Sequence, residues 1–167
     1  HTGDWITLHY NGQIIFDKPP LFYWLANLAI MVFGFNEFAI RFWAAVCGVS
    51  TVALTYFMAR KFYNEKTGIL SALVVMTALQ FLVQSRIAEI DILLTLLLNG
   101  ALFSFYLGYL SNNKKYYWLS YLMMALALPT KGIIGVILPG FTIFLFLLFK
   151  KELRKLGDIS LLPGFLI

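Results

Sequence analysis

Hydrophobic and polar positions in this chain fall in long blocks and do not alternate residue by residue. Apolar runs occupy 42–60, 67–85, 92–111, 116–130 and 133–149, and short charged stretches separate them. Four of the runs approach the ~20 residues that cross a hydrocarbon core. The run 116–130 is shorter and fits a tilted crossing or a thinned bilayer. None shows the alternation of a barrel strand, and backbone groups in lipid must be paired within their own segment, so each run predicts a transmembrane helix. Ahead of them, 19–35 predicts a short helix ended by Gly34 and Asn36-Glu37, lying along or dipping into the interface. Residues 1–18 read as a water-facing outer loop with a turn signal at Asn11-Gly12, and 159–167 as the start of a further helix.

Composition turns this pattern into a class. The 167 residues are 60% hydrophobic and 13% charged, with a mean hydropathy of +0.80, well outside soluble proportions. The expected fold is an all-α membrane protein, a polytopic transmembrane helix bundle forming a single domain over 1–167. The chain opens on His1, not on Met, and stops at Ile167 inside an apolar stretch, so it is expected to be a truncated piece of a longer protein. Cys47 is alone, which excludes an intrachain disulfide and a cysteine metal site.

The net charge of +5 does not point to nucleic acid, because the cations sit in loops between apolar runs. Arg60, Lys61 and Lys66, then Lys114 and Lys115, then Lys150, Lys151, Arg154 and Lys155 hold nine of the thirteen basic residues. If each run between 42 and 149 crosses once, all three clusters share one side, which the positive-inside rule makes cytoplasmic. The other side, outside a plasma (inner) membrane if the source is bacterial, receives Arg41, the stretch from Arg86 to Asp91, and Thr130-Lys131-Gly132. Asp17 and Lys18 join them if the helix from Pro19 does not cross.

Charges beside hydrocarbon are costly, so their convergence marks a candidate site. Lys18 is held extended by Pro19, at the edge of an apolar helix. Arg86 and Glu89 are three apart and would pair on a continuous helix. Asp91 reads both as a helix N-cap and as a site carboxylate, and Lys131, between Pro129 and Gly132, sits at an expected helix break. Two lysines and an arginine suit a phosphate at headgroup depth, while a carboxylate can take a proton from a hydroxyl. The cofactor such a site would accept is a divalent cation on that phosphate. His1 and His9 precede Asp17 without ligand spacing, and the metal question stays open. A transporter or channel subunit with an outer-face anion site is the alternative, and it predicts charges deep in the spans or helices broken near mid-membrane.

Three segments carry a family resemblance: Gly3-Asp4-Trp5 with Asn11-Gly12, Asp17-Lys18-Pro19-Pro20-Leu21-Phe22-Tyr23-Trp24-Leu25, and Asn36-Glu37-Phe38-Ala39-Ile40-Arg41. Together they resemble the first large outer loop of the ArnT-like and protein O-mannosyltransferase group, integral membrane glycosyltransferases of the GT-C type. The run Arg86-x-x-Glu89-x-Asp91 and Thr130-Lys131-Gly132 follow in the same order, so the resemblance covers nearly the whole chain. It implies transfer of a sugar from an undecaprenyl- or dolichyl-phosphate donor to a lipid A, protein or glycan acceptor. It places Lys18 at the lipid phosphate, Asp17 and Asp91 as catalytic-site carboxylates, and Arg86, Glu89 and Lys131 in support. The partners implied are that donor, the acceptor and membrane lipids, with no nucleic acid. The family's acidic pair, which includes its expected general base, lies upstream of residue 1, so this stretch alone is expected to be inactive and Asp4 does not take that role.

Overall fold

The computed structural model describes residues 8–10, 13–15 and 19–152. Two short strands, β1 (Leu8–Tyr10) and β2 (Gln13–Ile15), pair antiparallel with Tyr10 opposite Gln13, on either side of the Asn11-Gly12 signal. All the remaining regular structure among the described residues is helical: α1 (Leu21–Phe33), α2 (Glu37–Phe62), α3 (Glu65–Thr77), α4 (Leu79–Gln84), α5 (Ile90–Ser111), α6 (Lys114–Lys131) and α7 (Ile134–Phe149). The protein is an all-α membrane protein. Of these helices, α2 and α5 are long and apolar enough to cross a bilayer, and α1 and α7 are shorter apolar helices. The stretch expected to begin a further helix, 159–167, lies outside the described residues.

Local chemistry explains most of the boundaries. Asn36 and Asn64 each accept a hydrogen bond from the backbone N–H three residues on, at 2.8 and 2.9 Å, which starts α2 and α3. Asn112 adopts the left-handed conformation that ends α5, and the Asn113 side chain accepts from the Lys115 N–H at 3.0 Å to start α6. Helix α2 therefore begins earlier than the apolar run, because Asn36 can cap it and Glu37 suits the positive end of the helix dipole. Pro129 does not break its helix: α6 continues to Lys131 and stops at Gly132, whose φ of 73° favours glycine.

The run 67–85 departs from expectation, since it forms two helices and not one. Ala78 is extended (φ −64°, ψ 118°) between α3 and α4. Neither proline nor glycine stands there. The Thr77 hydroxyl donates to the Leu73 carbonyl at 2.8 Å, and the Ala78 N–H to the Val74 carbonyl at 3.1 Å, so the end of α3 keeps its carbonyls paired despite the break.

Side-chain contacts fix how the helices run. Phe62, at the end of α2, packs on Tyr106 near the end of α5, their rings 4.9 Å apart, and Phe146, near the end of α7, packs on Tyr109. Helices α2, α5 and α7 thus point one way, while α3, α4 and α6 return. The main core joins α1, α2, α5 and α6 through Phe22, Ala44, Cys47, Ile92, Leu93, Leu97 and Ala127. Close approach between helices depends on small residues, as in other membrane bundles. A Cβ on Gly135 would stand 2.6 Å from the Ala127 carbonyl oxygen, so α7 can fold back on α6 only with glycine there. The buried Ser120 hydroxyl bridges helices by donating to the Ala101 carbonyl of α5 at 2.8 Å.

Candidate functional site

The hairpin of α5 and α6 brings the beginning of one helix to the end of the other. Ile92 and Leu93 are buried in the core, which fixes the rotation of α5 and leaves Asp91 at its rim. Thr130 is fully buried, with its hydroxyl donating to the Leu126 carbonyl at 2.8 Å, and this fixes the last turn of α6. The adjacent Lys131 ammonium then donates to the Asp91 carboxylate, forming an ion pair between residues forty positions apart. Both side chains remain about half exposed, at 47% for Lys131 and 43% for Asp91, so the pair faces out over the core. Gly132 and the tight approach of Gly135 to Ala127 set where that lysine ends up.

Two expectations about this stretch are corrected. Asp91 is not the N-cap of α5: Glu89, extended and without a side-chain cap bond, holds that position, and Asp91 lies in the first turn. There its charge still suits the helix dipole. Arg86 and Glu89 do not share a helix, because 85–88 forms a turn between α4 and α5, and among the described residues no ion pair joins them. Both are exposed, and that turn places them at the same end of the bundle as Asp91 and Lys131. The site residues Asp17 and Lys18 lie outside the described residues, as do His1 and the side chain of His9. Among the described residues no cluster of three metal-ligating side chains occurs.

Arg86 has a second setting that the sequence did not announce. It stands at the edge of a groove of about 620 Å³ between α2, α3 and α4, walled by apolar residues such as Val49, Val52, Met76 and Phe81. Gly48 makes this arrangement work: a Cβ there would lie 2.7 Å from the Ser85 Cβ, so only glycine lets the turn bearing Arg86 seat against α2. A glycine within an apolar run was the available signal. Arg86 thus sets a cation at the edge of a hydrocarbon-walled groove, at the same end of the bundle as the Asp91–Lys131 pair.

Comparison with known proteins follows the same lines. Residues 17–164 match the family of dolichyl-phosphate-mannose-protein mannosyltransferases. An uncharacterized protein of Aquifex aeolicus is 36% identical over 93% of this chain and 32% of its own length. The undecaprenyl phosphate-alpha-4-amino-4-deoxy-L-arabinose arabinosyl transferase of Aeromonas hydrophila is 29% identical over 99% of this chain and 32% of its own. The crystal structure of ArnT from Cupriavidus metallidurans bound to undecaprenyl phosphate superposes with a TM-score of 0.90 at 22% identity, over 98% of this chain and 31% of that one. This chain thus spans about a third of the length of the relatives it matches, and it shares the ArnT fold.

Proposed function

The chain belongs to the dolichyl-phosphate-mannose-protein mannosyltransferase family, and from that premise we propose that it is part of a GT-C-type glycosyltransferase that uses a polyprenyl-phosphate sugar as donor. The observation that carries this reading is the meeting of Asp91 and Lys131 beside the turn that bears Arg86. An anionic carrier phosphate needs cations at headgroup depth, and a hydroxyl acceptor needs a carboxylate within reach. Two relatives that bind or use undecaprenyl phosphate by name share this fold or sequence.

The chemistry is a single displacement. The acceptor hydroxyl oxygen bonds to the anomeric carbon as the bond from that carbon to the phosphate oxygen breaks, a carboxylate takes the hydroxyl proton, and the polyprenyl phosphate leaves with the electron pair. Lys18 and Arg86 hold the departing phosphate, Asp17 and Asp91 are the carboxylates of the site, and Glu89 and Lys131 support it. Lipid A, a protein side chain or a glycan would each present a suitable hydroxyl. The break at Ala78 is a feature that transporters also use, through backbone carbonyls freed at the break, but here the Leu73, Val74 and Ala78 carbonyls already accept from the Thr77 hydroxyl and from the Ala78 and Leu82 N–H groups. The decisive experiment offers radiolabelled polyprenyl-phosphate sugar to the purified full-length protein in nanodiscs, together with each acceptor class. Acceptor-dependent release of free polyprenyl phosphate is expected. Passage of intact donor across a bilayer without cleavage would replace this reading with the transporter.

We further propose that the loops at 60–66, 112–115 and 150–155 are cytoplasmic and that the Asp91 end faces outward, as the clustered cations indicate. Single cysteines at positions 113 and 131, in a Cys47-free background, should react with an impermeant reagent from opposite sides. Labelling of both from one side would end this topology.

A further inference from the structure

The break at Ala78 differs from a continuous helix by a single torsion. Its φ of −64° is already helical, and only ψ, at 118°, departs from the α-helical value, by roughly 160°. Nothing local enforces the departure: no side chain caps α4, neither proline nor glycine stands at the break, and alanine is the strongest helix former. The break also interrupts backbone pairing. Among the described residues, no hydrogen bond runs from the Leu79, Gln80 or Phe81 N–H to the carbonyl four residues before it, and a continuous helix would make all three. Between apolar helices such groups are costly to leave unpaired.

Contacts from outside the segment hold the bent form. Ser85 sits against Gly48 of α2 with no room for a Cβ between them, and Phe81 packs at the edge of the main core. That hold is slight, because α4 buries none of its six residues and Leu79 is 77% exposed. Helix α3, in contrast, is seated closely on α2: a Cβ on Gly68 would stand 3.0 Å from the Tyr56 carbonyl oxygen. With α3 fixed and Ala78 helical, 65–84 becomes one helix about 30 Å long, the thickness of a hydrocarbon core. The chain after residue 78 is then redirected, and Ser85 leaves Gly48. Residues 85–89, compact in the bent form, reach about 17 Å when extended, so the link to Ile90 is kept.

We propose that α4 and the turn at 85–88 form a flap hinged at Ala78, which exchanges between this bent form and a continuous α3–α4 helix. In the bent form the flap contributes Phe81, Leu82, Ser85 and Arg86 to the wall of the groove of about 620 Å³. In the straight form that wall is withdrawn, the groove opens sideways to the bilayer, and Arg86 leaves its edge. The flap thus sets both entry to the groove and the position of its cation. It rests on the backbone at Ala78 and does not depend on the donor reading above.

Two substitutions push the hinge in opposite directions. Leu79→Pro favours the bent form, since proline suits the first position of α4 and keeps the preceding residue extended, and it disfavours the straight form about a hundredfold, as proline does inside a helix. Gly48→Ala puts a Cβ 2.7 Å from the Ser85 Cβ and unseats the bent form. The measurement is the distance distribution between spin labels at Val83 and Ile137, both exposed, in the full-length, Cys47-free protein in nanodiscs. Two distances are expected in the wild type, the second lost in Leu79→Pro and dominant in Gly48→Ala. One distance that neither substitution changes would mean a fixed kink and overturn the proposal. If Gly48→Ala does not fold, the comparison of wild type with Leu79→Pro decides, and identical distributions overturn the proposal in the same way.

Discussion

Replacing Asp91 by Asn is expected to lower glycosyl transfer by the full-length protein about a hundredfold or more while leaving the fold almost as stable. The two effects separate because they rest on different quantities. An ion pair as exposed as the one with Lys131 contributes roughly 0–1 kcal/mol, and an acid in the first turn of a helix about 0.3–1 kcal/mol more. A carboxylate acting on a proton or fixing the charges around a leaving phosphate contributes about 10²- to 10⁴-fold in rate, and a hundredfold already corresponds to about 2.7 kcal/mol. A purely structural pair cannot supply that. Exchanging the partners, Asp91→Lys with Lys131→Asp, separates the readings further, because the exchange restores the pair but not the placement of its charges. Activity that returns in the exchanged protein, or an Asp91→Asn variant within threefold of wild type at matched expression, would make the pair a helix clamp and nothing more.

The gathering of charge at each end of the bundle is legible in the sequence, because block patterning fixes which loops share an end. The contact between Asp91 and Lys131 is legible only in part. Asp91 lies 21 residues before Asn112 and Lys131 lies 18 after Asn113, so at 1.5 Å per residue both stand about 30 Å from the hairpin turn. Height along the helices was thus available from counting. Rotation was not, since it is set by Ile92, Leu93 and Ala127 in a core assembled from four helices. The break at Ala78 runs against local propensity, as alanine is the strongest helix former and the flanking residues give no stop signal. Tertiary context decides there. Arg86 and Glu89 do not share a helix face for a related reason: a spacing of three implies a shared face only where the helix continues, and the turn at 85–88 removes that condition. Gly48 seats that turn, and its importance emerges only when Ser85 is seen against it.

Replacing Lys18 by Ala should weaken binding of polyprenyl phosphate about ten- to a hundredfold. Its position in the sequence motivates this: Pro19 restricts its backbone, Asp17 adjoins it, and α1 begins at Leu21 after Pro20, so the lysine stands where a charged segment gives way to an apolar helix. A hydrogen bond between a charged donor and a charged acceptor contributes about 1.5–3 kcal/mol, which sets the size of the loss. Lys18→Arg retains the charge but replaces a compact ammonium with a broad planar fork, so partial recovery is expected. If the lysine only reaches along the helix to solvent, its head has no partner to lose, and Ala and Arg variants should bind the carrier as wild type does. Titration of polyprenyl phosphate into the full-length protein and the two variants in nanodiscs distinguishes these outcomes. Equal affinity in all three would remove Lys18 from the phosphate site and leave Arg86 as the cation that the carrier must meet.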